Sequence, residues 1–136
     1  VSYDPFLSSQ NEAPKAPGMK YKHYAPDAPM RAFIGTSEAV AQAFTKAIDE
    51  QVTKRGAFLV SQETYELLKD SVNGEFHVYG HSGDAVALAH DFYKTLHHFN
   101  ECDVDYILAE GVENTGLGVA VMNRMEKACA GHIMYL

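Results

Sequence analysis

Residue types able to do chemistry collect in four places along this chain. Gly35-Thr36-Ser37, Gly80-His81-Ser82-Gly83-Asp84 and the stretch from Glu110 to Gly118 each follow a short apolar run and mix glycines with hydroxyl, imidazole or carboxylate groups. Hydroxyls and backbone N–H groups at a turn that opens a helix hold anions. Thr36, Ser37, His81, Ser82, Gly116 and Gly118 therefore form a candidate strand-end ligand site. The glycines match neither G-x-G-x-x-G nor the P-loop pattern, and tight turning of the chain is their plainer reading. Gly80-His81-Ser82-Gly83 approaches a nucleophile elbow, but Asp84 stands where G-x-S-x-G needs glycine. His98 and Cys102, four apart near a helix end, share one face, yet no H-E-x-x-H or four-ligand zinc set accompanies them. No catalytic and no metal-ligating residue is assigned. Glu110 and Glu113 read as a solvated face as readily as an acid/base pair, and Phe33-Ile34-Gly35 lacks the acidic residues a phosphoacceptor domain requires.

The fourth place is Pro17-Gly18-Met19-Lys20-Tyr21-Lys22-His23-Tyr24-Ala25-Pro26. Tyrosines stack on bases and lysines neutralise phosphates, so the segment is suited to cover an anionic or nucleotide ligand held by something else. Docking of its aromatics on a neighbouring surface is the alternative. All five prolines lie at or before Pro29. Each removes a backbone donor and pushes its predecessor toward extended conformations, so residues 1–30 are expected to form an extended arm. Residues 31–136 form the domain.

From Arg31 onward short apolar runs alternate with helical periodicity. Strands are expected at 31–34, 57–60, 76–79, 104–109 and 133–135, and helices after Thr36 or Ser37, at 63–70, from Ser82 or Asp84 to 99, and at 117–130. In the fourth strand the alternation puts Val104, Tyr106 and Leu108 on one face and Ile107 and Ala109 on the other. Ala85, Leu88, Ala89, Phe92, Leu96 and Phe99 make an apolar stripe at helical spacing, which packs on a sheet. Strands joined through helices pair in parallel by right-handed crossovers. The expected fold is a three-layer α/β/α Rossmann-like sandwich with a mostly parallel sheet of about five strands; strand order is not legible. Ligands of such sheets collect beyond the carboxyl ends of the strands.

Charge narrows the partners. Eleven Lys and Arg against eighteen Asp and Glu leave −7, and the arm balances to zero, so the acidic excess lies in residues 31–136. That sign disfavours direct nucleic-acid binding. No apolar run approaches the roughly 20 residues that span a bilayer, so no membrane association is expected. Two cysteines without Cys-x-x-Cys spacing fit reduced thiols and a cytoplasmic location. Val1 in place of Met suggests a processed product or fragment.

The segment 17–26 resembles the interdomain linker of two-domain L-threonylcarbamoyladenylate synthases, whose usual centre is Lys-Tyr-Arg-His-Tyr; Lys22 here replaces the arginine, keeping charge but not the planar fork. Val104-Asp105-Tyr106-Ile107-Leu108-Ala109-Glu110-Gly111, then Gly116-Leu117-Gly118-Val119-Ala120-Val121-Met122-Asn123-Arg124-Met125 to Lys127-Ala128, resembles the closing signature of that family's C-terminal domain. The resemblance implies an N-terminal YrdC-like catalytic domain that joins threonine, bicarbonate and ATP into threonylcarbamoyl-AMP and pyrophosphate, for modification of adenosine 37 in tRNA. It implies that Pro17, Gly18, Met19, Lys20, Tyr21, Lys22, His23 and Tyr24 help close that domain's pocket. ATP and Mg2+ belong to the full-length protein, and no cofactor to this part alone. The partners implied are the catalytic domain and other proteins of the modification pathway. Geometry permits a lid: twenty-five extended residues reach roughly 80 Å, and a 200-residue domain is about 40 to 45 Å across. A self-contained small-ligand or nucleotide-binding module at the strand ends is the alternative, and a purely structural oligomerisation domain a third.

Overall fold

Short, mostly apolar runs buried on both faces belong in the middle of a sheet covered by helices, and two strands of this chain are of that kind. The computed structural model describes residues 26–51 and 53–136. Their elements are β1 (Met30–Ile34), α1 (Ser37–Asp49), β2 (Gly56–Val60), α2 (Gln62–Leu68), β3 (Glu75–Val78), α3 (Ala85–Glu101), β4 (Tyr106–Glu110), α4 (Gly118–Ala128) and β5 (Ile133–Tyr135). Every residue of β2 and β4 is buried, whereas β3 and β5 are partly exposed. The sheet is all parallel in the order β3-β2-β4-β1-β5, so the buried pair is interior and the exposed pair forms the edges.

Chain direction decides which helix covers which face. From β1 the chain moves through α1 and α2 toward the β3 edge, then returns through α3 and α4 toward β5. Right-handed crossovers running in opposite directions place their helices on opposite faces. Two cores result. Val40, Phe44 and Leu68 of α1 and α2 pack with Phe33, Phe58, Tyr106 and Leu108 on one face. Leu88, Phe92, Leu96 and Phe99 of α3 pack with Val121, Met122 and Met125 of α4 over Leu59, Ile107 and Ala109 on the other. The three-layer parallel sandwich expected from the sequence is the observed fold.

Phe58 is the keystone of the first core. Its ring lies 6.1 Å from Phe44, 5.0 Å from Phe76 and 6.1 Å from Tyr106, and Phe44 continues the chain of rings to Phe33 at 5.6 Å. Offset and edge-to-face pairs of this kind add to the burial of the rings themselves. Gly56 and Gly74 leave the room: a Cβ at either would meet the Phe58 ring at less than its contact distance.

Side chains start three of the helices. Thr36 accepts from Ala39 N at 3.2 Å, Ser61 from Thr64 N at 3.3 Å and Asp84 from Ala87 N at 3.0 Å, each satisfying a donor that has no partner within its helix. Of the paired candidates for the caps of α1 and α3, the structure uses Thr36 and Asp84. One face assignment is corrected. Val104 packs with Ile107 and Ala109, not with Tyr106 and Leu108, because β4 begins only at Tyr106 and the chain before it turns through Asp103 at φ 57°. Strand alternation does not hold before the strand starts.

On the second face His77 of β3 ties the edge strand to α3, its Nε2 lying 2.7 Å from Asp91 Oδ2, and His90 Nδ1 lies 2.9 Å from Oδ1. Partial burial alone would raise the Asp91 carboxyl. The His77 and His90 hydrogen bonds, with electrostatic help from His77 and Lys94, instead hold it below the usual carboxylate value.

Two outcomes follow from this packing. Phe58→Ala should lower unfolding free energy by about 3 to 5 kcal/mol in urea titrations. Asp91→Asn should cost about 1 kcal/mol at pH 6. A depressed folded pKa contributes stability that is complete above the unfolded value, near pH 4, and is lost as pH falls through the lower folded one. The difference between Asp91→Asn and the parent should therefore shrink in urea titrations repeated below about pH 4.

Candidate functional site

The adjacent strands β1 and β4 send their chains to opposite faces, β1 into α1 and β4 into α4. Diverging connections of this kind open a crevice at the carboxyl ends of a sheet. The crevice is a cleft of about 1020 Å³ walled by Ile34–Thr36, Ser82–Val86, Gly111–Thr115, Leu117 and Gly118, with Tyr135 and Leu136 closing one side. Leu136 N donates to Ile34 O at 2.8 Å and Gly111 N to Phe33 O at 3.0 Å, so β1 holds both walls. Gly118 is required by close approach: a Cβ there would collide with the Glu113 carbonyl oxygen. Gly116, at φ +54°, takes a left-handed turn that suits glycine.

Of the six strand-end residues expected from the sequence, Thr36, Ser82 and Gly118 line this cleft and Ser37, His81 and Gly116 do not. Ser37 lies inside the first turn of α1. His81 is 82% exposed and lies 3.4 Å from Glu63. Glu63 Oε1 accepts the Ser82 N–H at 2.8 Å, and that bond is the main reason its carboxyl lies below the usual value. Gly118 N donates to Thr115 O at 2.9 Å and Val119 N to Gly116 O at 3.3 Å. The cleft's N–H groups at 82 and 118 thus already have partners inside the protein. Among the described residues no histidine or cysteine lines the cleft. Its chemistry is recognition through hydroxyls, the Glu113 and Asn114 side chains and apolar contact with Val86, Leu117 and Tyr135.

Beneath the strand ends lies a polar group for which the sequence left a solvated face and an acid/base role equally open. Glu110 is not on a solvated face: it is 1% exposed, and its Oε1 accepts from Ser61 N at 2.8 Å and from Ser61 Oγ at 2.7 Å. Ser61 Oγ lies 3.2 Å from Thr64 Oγ1. Glu110 ends an apolar run that leaves no room for solvent, and Ser61 follows another, so two polar residues closing neighbouring buried strands were the available signal. Tyr79 is buried nearby without a hydrogen-bond partner among the described residues; burial first, and Glu110 second, push its phenol up. Burial and then Glu75 raise the Cys102 thiol, and burial pushes Cys129 up to about 12.

The linker residues Pro17, Gly18, Met19, Lys20, Tyr21, Lys22, His23 and Tyr24 lie outside the described residues.

Residues 2–130 match the family model described as threonylcarbamoyl-AMP synthase, C-terminal domain. The chain is 35% identical to the threonylcarbamoyl-AMP synthase of Bacillus subtilis, an alignment covering 98% of this chain and 37% of that protein. It is 40% identical to the synthase of Pyrococcus abyssi over 88% of this chain and 33% of that one. Among solved structures it is similar to P. abyssi Sua5 complexed with L-threonine, with a TM-score of 0.65 and 34% identity over 90% of this chain and 34% of that one. It also matches the C-terminal Sua5 domain from Pyrococcus horikoshii, with a TM-score of 0.58 and 30% identity over 82% of this chain and all of that one. The chain spans about a third of the curated relatives it matches.

Ser61→Ala removes both a donor to buried Glu110 and the cap of α2, and should lower unfolding free energy by about 2 kcal/mol. Ser61→Thr, which keeps the hydroxyl, should recover most of it. Urea titrations of the two variants beside the parent check this.

Proposed function

The chain belongs to the family of threonylcarbamoyl-AMP synthase C-terminal domains, and from that premise we propose that it is the accessory, non-catalytic part of such a synthase, carrying the linker that covers the active site of a separate catalytic domain. The observation that carries this reading is the pattern of coverage: nearly all of this chain aligns, yet with only about a third of each curated relative. The remaining two thirds of a relative has ample length for the domain that joins threonine, bicarbonate and ATP. Lys20, Lys22, His23 and the tyrosines between Pro17 and Pro26 then supply positive charge and stacking surface over the nucleotide. ATP with its Mg2+ is held by the catalytic domain. The cleft described above does not suit that metal: of its two acidic side chains, Asp84 is engaged in capping α3, whereas Mg2+ is bound through free carboxylates and phosphates.

The cleft favours a second reading, in which residues 31–136 bind a small regulatory ligand of their own. Its place at the divergence of β1 and β4 is where ligands of such sheets collect. L-threonine, present in the crystal structure of the P. abyssi relative, is a natural probe, together with ATP and AMP.

Calorimetry separates the two readings. Under the first, these ligands bind only when the separately expressed catalytic domain is mixed with this chain, and binding by this chain alone would reverse the ranking. In the full-length protein Lys22→Ala should lower turnover roughly tenfold, about 1.4 kcal/mol, without lowering the melting temperature; unchanged kinetics would remove Lys22 from the lid.

A further inference from the structure

The end of the sheet opposite the cleft carries a set of donors that neither reading uses. Glu75 opens β3, His98 lies in the last turn of α3 and Cys102 caps that helix. Four-residue spacing puts His98 and Cys102 on one side of the helix. Cys102 Sγ lies 3.6 Å from His98 Nε2, and one donor atom from each of the three residues falls within 4.8 Å of the others. A tetrahedral zinc ion about 2.3 Å from sulfur and about 2.05 Å from nitrogen separates those two atoms by about 3.6 Å. The pair therefore already stands at coordination spacing, and the carboxylate oxygen, within 4.8 Å of both partners, lies at most about 1.4 Å beyond the roughly 3.4 Å separation that ligation requires. His98 is exposed and Glu75 and Cys102 are half-buried, so an ion reaches the group from solvent. Arg55 Nη2 lies 3.6 Å from Glu75 Oε2, and the Arg55 backbone is fixed by Asp105, which accepts its N–H at 2.8 Å. That contact restrains one carboxylate oxygen and offsets negative charge gathered at the site, in the manner of groups that orient metal ligands from behind.

We propose that Glu75, His98 and Cys102 form a binding site for a divalent cation of the zinc class, with water as the fourth ligand. Sulfur with imidazole selects zinc over magnesium or calcium, which prefer oxygen alone. On binding, the Cys102 S–H bond breaks, the proton leaves to solvent and a sulfur–metal bond forms, with no change in oxidation state. The ion would join the edge strand β3 to the end of α3. The site is independent of the synthase reading, since it lies on the domain itself and away from the cleft.

Cobalt(II) added to the reduced, metal-free 136-residue chain reports sulfur ligation directly. A thiolate-to-cobalt charge-transfer band should appear, saturate at one equivalent and disappear on addition of zinc. Cys102→Ser should abolish the band, His98→Ala and Glu75→Gln should each weaken cobalt affinity at least tenfold, and His97→Ala should leave it unchanged. Circular dichroism confirms that each variant is folded. Zinc should also raise the melting temperature of the parent and do so less in Glu75→Gln, a readout that stands even if Cys102→Ser fails to fold. Absence of the band at equimolar cobalt, its survival in folded Cys102→Ser, or unchanged affinity in either His98→Ala or Glu75→Gln would overturn the site.

Discussion

A carboxylate in a space closed to water must be answered by donors, and Glu110 is the residue on which this requirement falls. It ends β4, the central strand of the sheet. Ser61 answers it twice, through its backbone N–H and its hydroxyl. Because Leu59 stands opposite Ala109, Ser61, just beyond the end of β2, meets Glu110, the last residue of β4, only in the observed register. A slip of one residue would turn every side chain of a strand to the other face and leave Glu110 without its partner. The same serine starts α2, so strand register, helix position and disposal of a buried acid are one constraint. Hydrophobic burial supplies most of the driving force, but it is non-directional; this polar contact fixes which arrangement of apolar strands is adopted.

The cleft is a product of connectivity. β1 and β4 are neighbours whose chains depart to opposite faces, and the gap between their loops follows without any side chain being dedicated to making it. Its N–H groups at 82 and 118 are paired within the protein. That arrangement suits a surface against which another segment or a small molecule rests better than one that must hold a highly charged group. The opposite end of the sheet is different in kind: unlike donors from β3 and α3 converge there near coordination distances.

Element types were legible because period and punctuation agree in this sequence. Thr36 and Asp84 precede apolar stripes at helical spacing, and glycines follow apolar runs. Strand order was not legible, because periodicity reports which face a residue occupies and says nothing about which strand lies beside it. The Val104 assignment failed for a related reason: alternation was extended back through Asp103, where the backbone turns left-handed. The burial of Glu110 was not legible because a glutamate beside loop residues ordinarily reaches water, and only the neighbouring strand's end reveals that here it cannot. His81 and Gly116 were drawn into the site by their loops, although sharing a loop with a cleft residue does not put a side chain in the cleft. The linker motif carried the family resemblance through residue identity alone, with no help from periodicity.

The pairing of β1 with β4 also has a kinetic side. Met30 stands opposite Ile107, roughly 80 positions along the chain, and closing a loop of that length costs about 4 kcal/mol before any contact repays it. The other neighbour of β1 is β5, which comes later still. β1, the first of the five described strands, thus waits longest for a partner, and its apolar residues stand without a sheet while α1, β2, α2, β3 and α3 emerge. The pairing of β1 with β4 and β5 is non-local, and contacts of that kind slow folding. Fragments that stop before β4 leave β1 with both edges bare, the state in which strands associate with other chains.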